Sequence, residues 1–200
     1  MKVLNYGSLN VDYVYSVDHI IVGGETQHSS KLEVFSGGKG LNQSIALAKA
    51  GVPVYHAGIV GTDGDILLEA CKEAGVNTKY IRRLPVKGGH TMIQVDKNAQ
   101  NCIILYGGTN QMQTKEFVDE VLADFGEGDY LMLQNEINML DYIIDQAYEK
   151  KMKIVMNPSP FDDKLSTCDL SKVYLFLVNE IEGEQITGCK DKDQILDAMA

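Results

Sequence analysis

A glycine-rich stretch that runs into a helical pattern, residues 36–44, constrains this chain more than any other part of its sequence. It reads Ser-Gly-Gly-Lys-Gly-Leu-Asn-Gln-Ser. Glycines let the backbone adopt positive φ and let another group approach closely, and the following helix presents its first amide groups at the same place. We expect Lys39, Asn42 and Gln43 to point donors and acceptors at a small polar ligand there. A tight strand-to-helix turn without a ligand explains the glycines equally well, so the stretch alone leaves both interpretations open.

Two familiar phosphate-binding motifs do not fit this sequence. A Walker phosphate loop requires a glycine five positions before the Gly-Lys pair and Ser or Thr after the lysine, whereas position 33 is Glu and position 40 is Gly. A dinucleotide-binding fingerprint should follow the first strand, but residues 7–12, Gly-Ser-Leu-Asn-Val-Asp, contain a single glycine. Both motifs are therefore excluded.

Strand and helix patterns alternate along the chain and predict an α/β fold, with a mostly parallel sheet flanked by helices. Strands are predicted over 2–6, 54–59, 130–134, 153–156 and 174–178, and helices over 41–50, 65–74, 114–125, 140–151 and 180–187. Two pairs of exposed strands, 13–17 with 31–35 and 91–95 with 101–106, interrupt the alternation. We expect them to form a small β lid, from about residues 13–36 and 90–107, over one edge of the larger sheet.

Composition excludes several other classes of protein. A net charge of −10 argues against binding nucleic acid or an anionic membrane. The apolar runs are too short to cross a bilayer, and the first residues lead into a strand rather than a secretion signal. The four cysteines are scattered without a Cys-x-x-Cys pair, which argues against zinc and against a disulfide framework. We therefore expect reduced thiols, a cytoplasmic location, and neither nucleic acid nor membrane as a partner.

Five segments of the chain, in order and in spacing, resemble the motifs of the ribokinase-like (PfkB) carbohydrate kinases. They are residues 7–12, residues 37–43, Glu136 after the strand 130–134, Asn-Pro-Ser-Pro at 157–160, and Asn-Glu-Ile-Glu at 179–182. The resemblance covers the whole chain and is strongest to the members that phosphorylate ribose. It implies ATP-dependent phosphorylation of a primary hydroxyl on a small furanose, with ribose the leading candidate. Deoxyribose, a nucleoside, and a non-catalytic sugar-binding role remain alternatives.

The resemblance also implies which residues bind the sugar. They are Asn10, Asp12, Gly38, Lys39, Asn42 and Glu136. Asp12 is expected just past the first strand, where α/β sheets place ligands, and its carboxylate can accept two hydroxyls. The alternatives are a turn or helix-cap role for Asp12, a cap for Asn42, a bond from Asn10 to its own loop, and a solvated loop acid at Glu136.

ATP and Mg²⁺ are the cofactors that the resemblance implies, with a monovalent cation such as K⁺ as a further candidate. It assigns Asn179 to the nucleotide side and Glu182 to the metal. Because Mg²⁺ keeps several waters, these two residues can act indirectly. Acidic residues in the first turn of a helix are also common for dipole reasons, and we interpret Glu180 and Glu184 in that way.

Two further expectations concern the extent and assembly of the protein. The last helical pattern, 192–200, has no strand after it to pack against, so the chain reads as the N-terminal part of a longer kinase. The resemblance implies that the catalytic base and an anion hole lie beyond Ala200. The exposed strands carry Val, Ile, Tyr and Phe on a sheet too thin to stand alone. This predicts a homodimer in which the outer faces of two lids meet.

Overall fold

The computed structural model describes residues 1–199, apart from the side chains of residues 163 and 164. Its strands are β1 (Val3–Tyr6), β2 (Asn10–Ser16), β3 (Lys31–Gly37), β4 (Val54–Val60), β5 (Asn77–Arg83), β6 (Gly89–Val95), β7 (Asn101–Tyr106), β8 (Tyr130–Gln134), β9 (Lys153–Asn157) and β10 (Leu175–Phe176). Its helices are α1 (Lys39–Lys49), α2 (Asp65–Ala74), α3 (Lys115–Leu122), α4 (Leu140–Glu149), α5 (Glu180–Thr187) and α6 (Lys192–Met199).

The main sheet has six strands in the order β10-β9-β8-β1-β4-β5. Every neighbouring pair in it is parallel. From β1 the chain first builds outwards to β4 and β5, and it then returns to the other side of β1 to add β8, β9 and β10. The direction of building therefore reverses beside β1, and reversals of this kind create a crevice at the carboxyl ends of the strands. The predicted α/β class is confirmed.

Two apolar clusters cover the two faces of this sheet. On one face Leu4 and Tyr6 of β1 pack with Phe117 of α3 and Ile143 of α4. On the other face Leu41 of α1 packs with residues of α2 and of the chain that follows β1. Because successive side chains of a strand point to opposite faces, Asn5 lies on the α1 side of β1.

A second sheet has the order β3-β2-β6-β7. Strands β2 and β6 are parallel, while β3 and β7 pair antiparallel at the two edges. The predicted turn at 96–100 closes the β6–β7 hairpin, with Asp96 accepting hydrogen bonds from the backbone of Asn98 and Gln100. The register places Phe35, Asp12, Thr91 and Leu105 in one cross-strand row, so these residues share one face of the sheet.

Several predicted boundaries were wrong. The strand expected at 13–17 begins at Asn10, because pairing with β3 and β6 is continuous from that residue. Asp12 therefore lies within β2 of the second sheet, not just past the first strand. Strand β5 was missed, since most of its residues are polar, and the strand expected at 174–178 is reduced to Leu175–Phe176. The last helix ends at Met199, and Ala200 lies outside the described residues.

Across residues 1–199, none of the helices has the length and apolar character needed to traverse a bilayer.

Candidate functional site

The crevice beside β1 brings together three parts of the chain that are far apart in sequence. Ser8 follows β1, Glu136 follows β8, and Lys39 begins α1. Since β1 and β8 are parallel neighbours, the residues after them emerge at the same edge of the sheet. This is the edge at which open α/β sheets place their ligands.

The carboxylate of Glu136 is held firmly in this crevice. Its Oε2 accepts hydrogen bonds from the backbone N–H of Lys39, at 2.9 Å, and from the Ser8 hydroxyl. Its Oε1 accepts one from Lys39 Nζ at 3.1 Å. The side chain is only 8% exposed, which rules out a solvated loop acid. A carboxylate offers about four acceptor positions, so one remains for a ligand hydroxyl.

The first amides of α1 are not free, contrary to expectation. Lys39 N–H donates to Glu136, Gly40 N–H donates to Ser8 Oγ at 3.2 Å, and Leu41 N–H donates to Ser8 O at 3.0 Å. The positive end of the helix is thus occupied by a carboxylate of the chain itself. At this helix end the Lys39 ammonium group is a donor that a ligand can reach, since the Lys39 side chain is 39% exposed.

The glycines at 38 and 40 serve this packing directly. Gly38 has φ 95°, a conformation that favours glycine. A Cβ on Gly40 would lie 2.4 Å from Ser8 N, and one on Gly38 would lie 3.0 Å from Ser8 Oγ. The close approach inferred from the sequence is therefore made by the backbone that follows β1.

Asp12, in β2 of the second sheet, lies against the start of the glycine turn, since a Cβ on Gly37 would be 1.9 Å from Asp12 Oδ2. It is half-buried, and its Oδ1 accepts a hydrogen bond from Thr91 Oγ1 at 2.6 Å. Partial burial raises the pKa of Asp12, the Thr91 hydrogen bond opposes this shift, and the negative charge of Glu136 adds to it. Glu136 bonds Lys39, two residues after Gly37, so both carboxylates border the glycine turn.

Asn10 and Asn42 have contrasting surroundings. Asn10 is buried, and its Oδ1 accepts from Asn110 Nδ2 at 2.7 Å, a residue that sequence reasoning did not single out. Asn42 is exposed in the first turn of α1, whose cap is Gly38, so a capping role for Asn42 is excluded. In the part of the chain that the structure describes, the Asn42 side chain forms no hydrogen bond.

A buried polar network lies directly beneath the glycine turn. Asn5 Nδ2 donates to Gly40 O at 2.7 Å and to Ser44 Oγ at 2.8 Å. Ser44 Oγ in turn bonds His56 Nδ1 at 2.7 Å, and His56 Nε2 bonds Gly7 O at 3.3 Å. Burial lowers the pKa of His56 to about 4, so the imidazole is neutral near pH 7. Polar residues inside otherwise apolar strands were the sequence signal for this network, which went unrecognised.

Gln43 belongs to the same network and does not face a ligand as expected. Its Oε1 accepts from Gln134 Nε2 at 2.6 Å. Gln134 Nε2 also donates to Asn5 Oδ1 at 2.9 Å. The amide of Gln43 is therefore engaged between α1 and the sheet.

Asn179 and Glu182 are not brought next to the two acids. Glu182 N–H donates to Asn179 Oδ1 at 2.9 Å, and Asn179 N–H donates to Glu182 Oε2 at 3.1 Å, a capping box that starts α5. They follow β10, which is three strand spacings, about 14 Å, from β1.

No cluster of three or more His, Cys, Asp or Glu side chains suited to a metal is found among the described residues. Glu182 uses Oε2 in the capping box, which leaves Oε1 for a ligand. A single carboxylate of this kind suits a Mg²⁺ ion that is held mainly through water and phosphate.

The fold and the crevice together define a class: α/β proteins with a mostly parallel sheet and a polar crevice at the point where strand order reverses. The sequence matches the model of the pfkB family of carbohydrate kinases over residues 1–200, and the chain belongs to this family.

Known relatives agree with this assignment. The chain is similar to a ribokinase of Haemophilus influenzae, at 31% identity over 196 residues, and to a ribokinase of Staphylococcus aureus, at 34% identity over 195 residues. Each match covers 94% of this chain and 63% or 64% of the relative. The structure of an Arabidopsis thaliana ribokinase complexed with ribose and ATP superposes with a TM-score of 0.82 at 25% identity, covering 98% of this chain and 66% of that chain. The chain thus spans just under two thirds of the length of the curated relatives it matches.

Proposed function

We propose that this chain carries the sugar site of a kinase that transfers a phosphoryl group from ATP to a primary hydroxyl of a small sugar, most simply ribose, in the cytoplasm. The observation that carries the proposal is the convergence of Asp12 and Glu136 on one crevice, with the Lys39 ammonium beside them. Carboxylates that face a crevice accept hydroxyl protons in hydrogen bonds, as recognition of a polyhydroxyl ligand requires.

Each residue then has a distinct role in binding the sugar. Asp12 accepts hydroxyls on the side of the second sheet, and Glu136 accepts one at its open position. Lys39 and Asn42 donate to sugar oxygens, Asn10 contributes its amide, and Gly38 keeps the turn compact enough for the sugar to approach. Together they fix the orientation of the attacking hydroxyl, which is the main protein contribution to phosphoryl transfer.

ATP supplies the phosphoryl group, and Mg²⁺ neutralises charge on the phosphates. We assign Asn179 to the phosphate side and Glu182 to the water shell of Mg²⁺, with K⁺ as a further candidate cofactor. Asp12 and Glu136 both hold the substrate in this proposal, so a further group accepts the hydroxyl proton.

The direct test is calorimetric titration of the chain with ribose, with deoxyribose and fructose for comparison. We expect ribose to bind more tightly than fructose. If none of the sugars binds, the proposal is wrong.

A second measurement separates a kinase from a non-catalytic sugar-binding protein. ADP release is followed with ATP, Mg²⁺ and ribose, for residues 1–200 and for any form that continues past residue 200. We expect binding without turnover for residues 1–200, because binding alone does not accelerate the chemical step. Turnover by residues 1–200 equal to that of a longer form would show that the catalytic groups have been misplaced.

A further inference from the structure

A short segment, residues 109–113 (Thr-Asn-Gln-Met-Gln), connects both sides of the crevice. It follows β7 and Gly108 as the chain leaves the second sheet, and it includes part of the 3₁₀ helix Gly108–Gln111. None of its residues was singled out by the sequence motifs. Its residues nevertheless make hydrogen bonds to three separate parts of the chain: the chain after β1, the end of β4 and the loop after β8.

On the β1 side, Asn110 fixes the chain that carries Asn10. Its Oδ1 accepts from Leu9 N–H at 3.0 Å, and its Nδ2 donates to Asn10 Oδ1 at 2.7 Å. Asn110 is 1% exposed, so these bonds are shielded from water. Thr109 Oγ1 anchors the same segment to Ile59 O, at the end of β4, with a bond of 2.7 Å.

On the β8 side, the segment fixes the chain that carries Glu136. Gln111 Nε2 donates to Glu136 O at 2.9 Å. Gln113 N–H donates to Asn138 Oδ1 at 2.9 Å, and Asn138 Nδ2 donates back to Gln113 O at 3.0 Å. The loop after β8 is therefore bonded to the 109–113 segment at both Glu136 and Asn138.

Apolar packing anchors this loop at Ile137, which is buried in the core next to Glu136, but packing is incomplete on the side of Gln111. A cavity of about 170 Å³ borders it, lined by Gln111, Asn138 and Met139 among others. Met139 also has φ 66°, a conformation that is unfavourable for a residue with a Cβ. The hydrogen bond from Gln111 to Glu136 O adds a restraint on the backbone that carries the carboxylate itself.

We propose that the 109–113 segment is a positioning element of the sugar site, in which Gln111 holds the backbone of Glu136 and Asn110 holds the side chain of Asn10. This inference rests on the proposed function. It adds that sugar affinity depends on residues that do not touch the sugar. Because the segment follows directly after β7 of the second sheet, it also fixes the position of Asn10 relative to Glu136 across the crevice.

The test replaces Gln111 by Met, which keeps the length of an exposed side chain but removes its donor. Gln27→Met is the matched control, because Gln27 is also a partly exposed glutamine whose Nε2 donates to a backbone carbonyl, that of His19, at 3.0 Å. Ribose affinity is measured by calorimetry, thermal stability by circular dichroism, and hydrogen exchange is followed for the peptide covering residues 135–141.

We expect Gln111→Met to weaken ribose binding by about 3- to 10-fold, the equivalent of one neutral hydrogen bond, and to speed exchange in residues 135–141. The Gln27→Met control should change neither, and both variants should melt close to the unaltered chain. Unchanged ribose affinity or unchanged exchange in Gln111→Met overturns this inference alone. Absence of ribose binding in the unaltered chain overturns the proposed function, and this inference with it.

Discussion

Lys39 binds both oxygens of the Glu136 carboxylate, one through its backbone N–H at 2.9 Å and the other through its ammonium group at 3.1 Å. A single residue thus supplies a helix N-terminus and a counter-charge to the same acid. The Glu136 carboxylate is held in one orientation in a crevice where little of its side chain meets water. The same ammonium group remains partly exposed, so it can serve a ligand as well.

Coupling between Lys39 and Glu136 can be measured with a double-mutant cycle of Lys39→Met and Glu136→Gln. The ammonium group is partly exposed, which screens the pair, while the carboxylate is nearly buried. We expect an interaction free energy of about 1 kcal/mol from urea unfolding of the single and double variants. The cycle Lys31→Met with Glu33→Gln, an exposed pair of the second sheet, should give a smaller value. Strict additivity at Lys39 and Glu136 would contradict the coupling.

Removal of the charge of Asp12 should weaken sugar binding without unfolding the chain. Asp12→Asn keeps the size of the side chain but removes charge-assisted hydrogen bonds to sugar hydroxyls, so we expect the Kd for ribose to rise about 10- to 100-fold. Calorimetry measures this change. Asp18→Asn removes an exposed carboxylate beyond the end of β2 and should leave the Kd unchanged. Equal affinity in Asp12→Asn and the unaltered chain would remove Asp12 from the site.

The buried His56 should make stability depend on pH in the mildly acidic range. Its neighbours in the network, Ser44, Asn5 and the Gly7 carbonyl, carry no charge that would stabilise an imidazolium ion. Burial lowers the pKa of His56 to about 4, against about 6.5 in the unfolded chain. The unfolded state therefore binds the extra proton first. Stability is fully present above pH 6.5 and is lost as the pH falls towards 4.

The measurement for His56 is urea unfolding at pH 7 and pH 5. We expect this residue alone to account for a loss of about 2 kcal/mol between the two values. The fall in the free energy of unfolding between pH 7 and pH 5 should be smaller in His56→Gln than in the unaltered chain by that amount, since glutamine does not titrate. An equal loss in the two proteins would show that His56 is not held neutral in the fold.

The second sheet is expected to pair with a second copy of itself. Ile103 lies on the face that carries Asp12, while Ile104 points to the opposite face, and both side chains are exposed. The face opposite Asp12 is the outer face, which also carries the exposed side chains of Leu32, Val34 and Met92. We therefore expect Ile104→Asp to shift a dimer to monomer in light scattering, and Ile103→Asp to have little effect. A monomer for the unaltered chain at micromolar concentration would contradict this prediction.

Much of the fold was accessible from the sequence because its signals are local. Apolar runs located nine of the strands to within a few residues. Helix periodicity predicted the helix at Asp65–Ala74 with its observed bounds. The missed strand, Asn77–Arg83, lies at a sheet edge and is mostly polar, so its strand character depends on pairing with β4 rather than on its own pattern. The start of β2 at Asn10 was missed for the same reason.

The sequence by itself determined the family, the order of the helices and of every strand but β5, and the residue types available for a sugar. Only the tertiary structure decided how those residues are used. Glu136 lies 97 positions from the helix N-terminus that binds it, Gln43 turns inwards to Gln134, and the 109–113 segment joins two loops that share no motif with it. Such contacts depend on strand register and on which backbone groups burial leaves to be satisfied. No local pattern of residues encodes these choices.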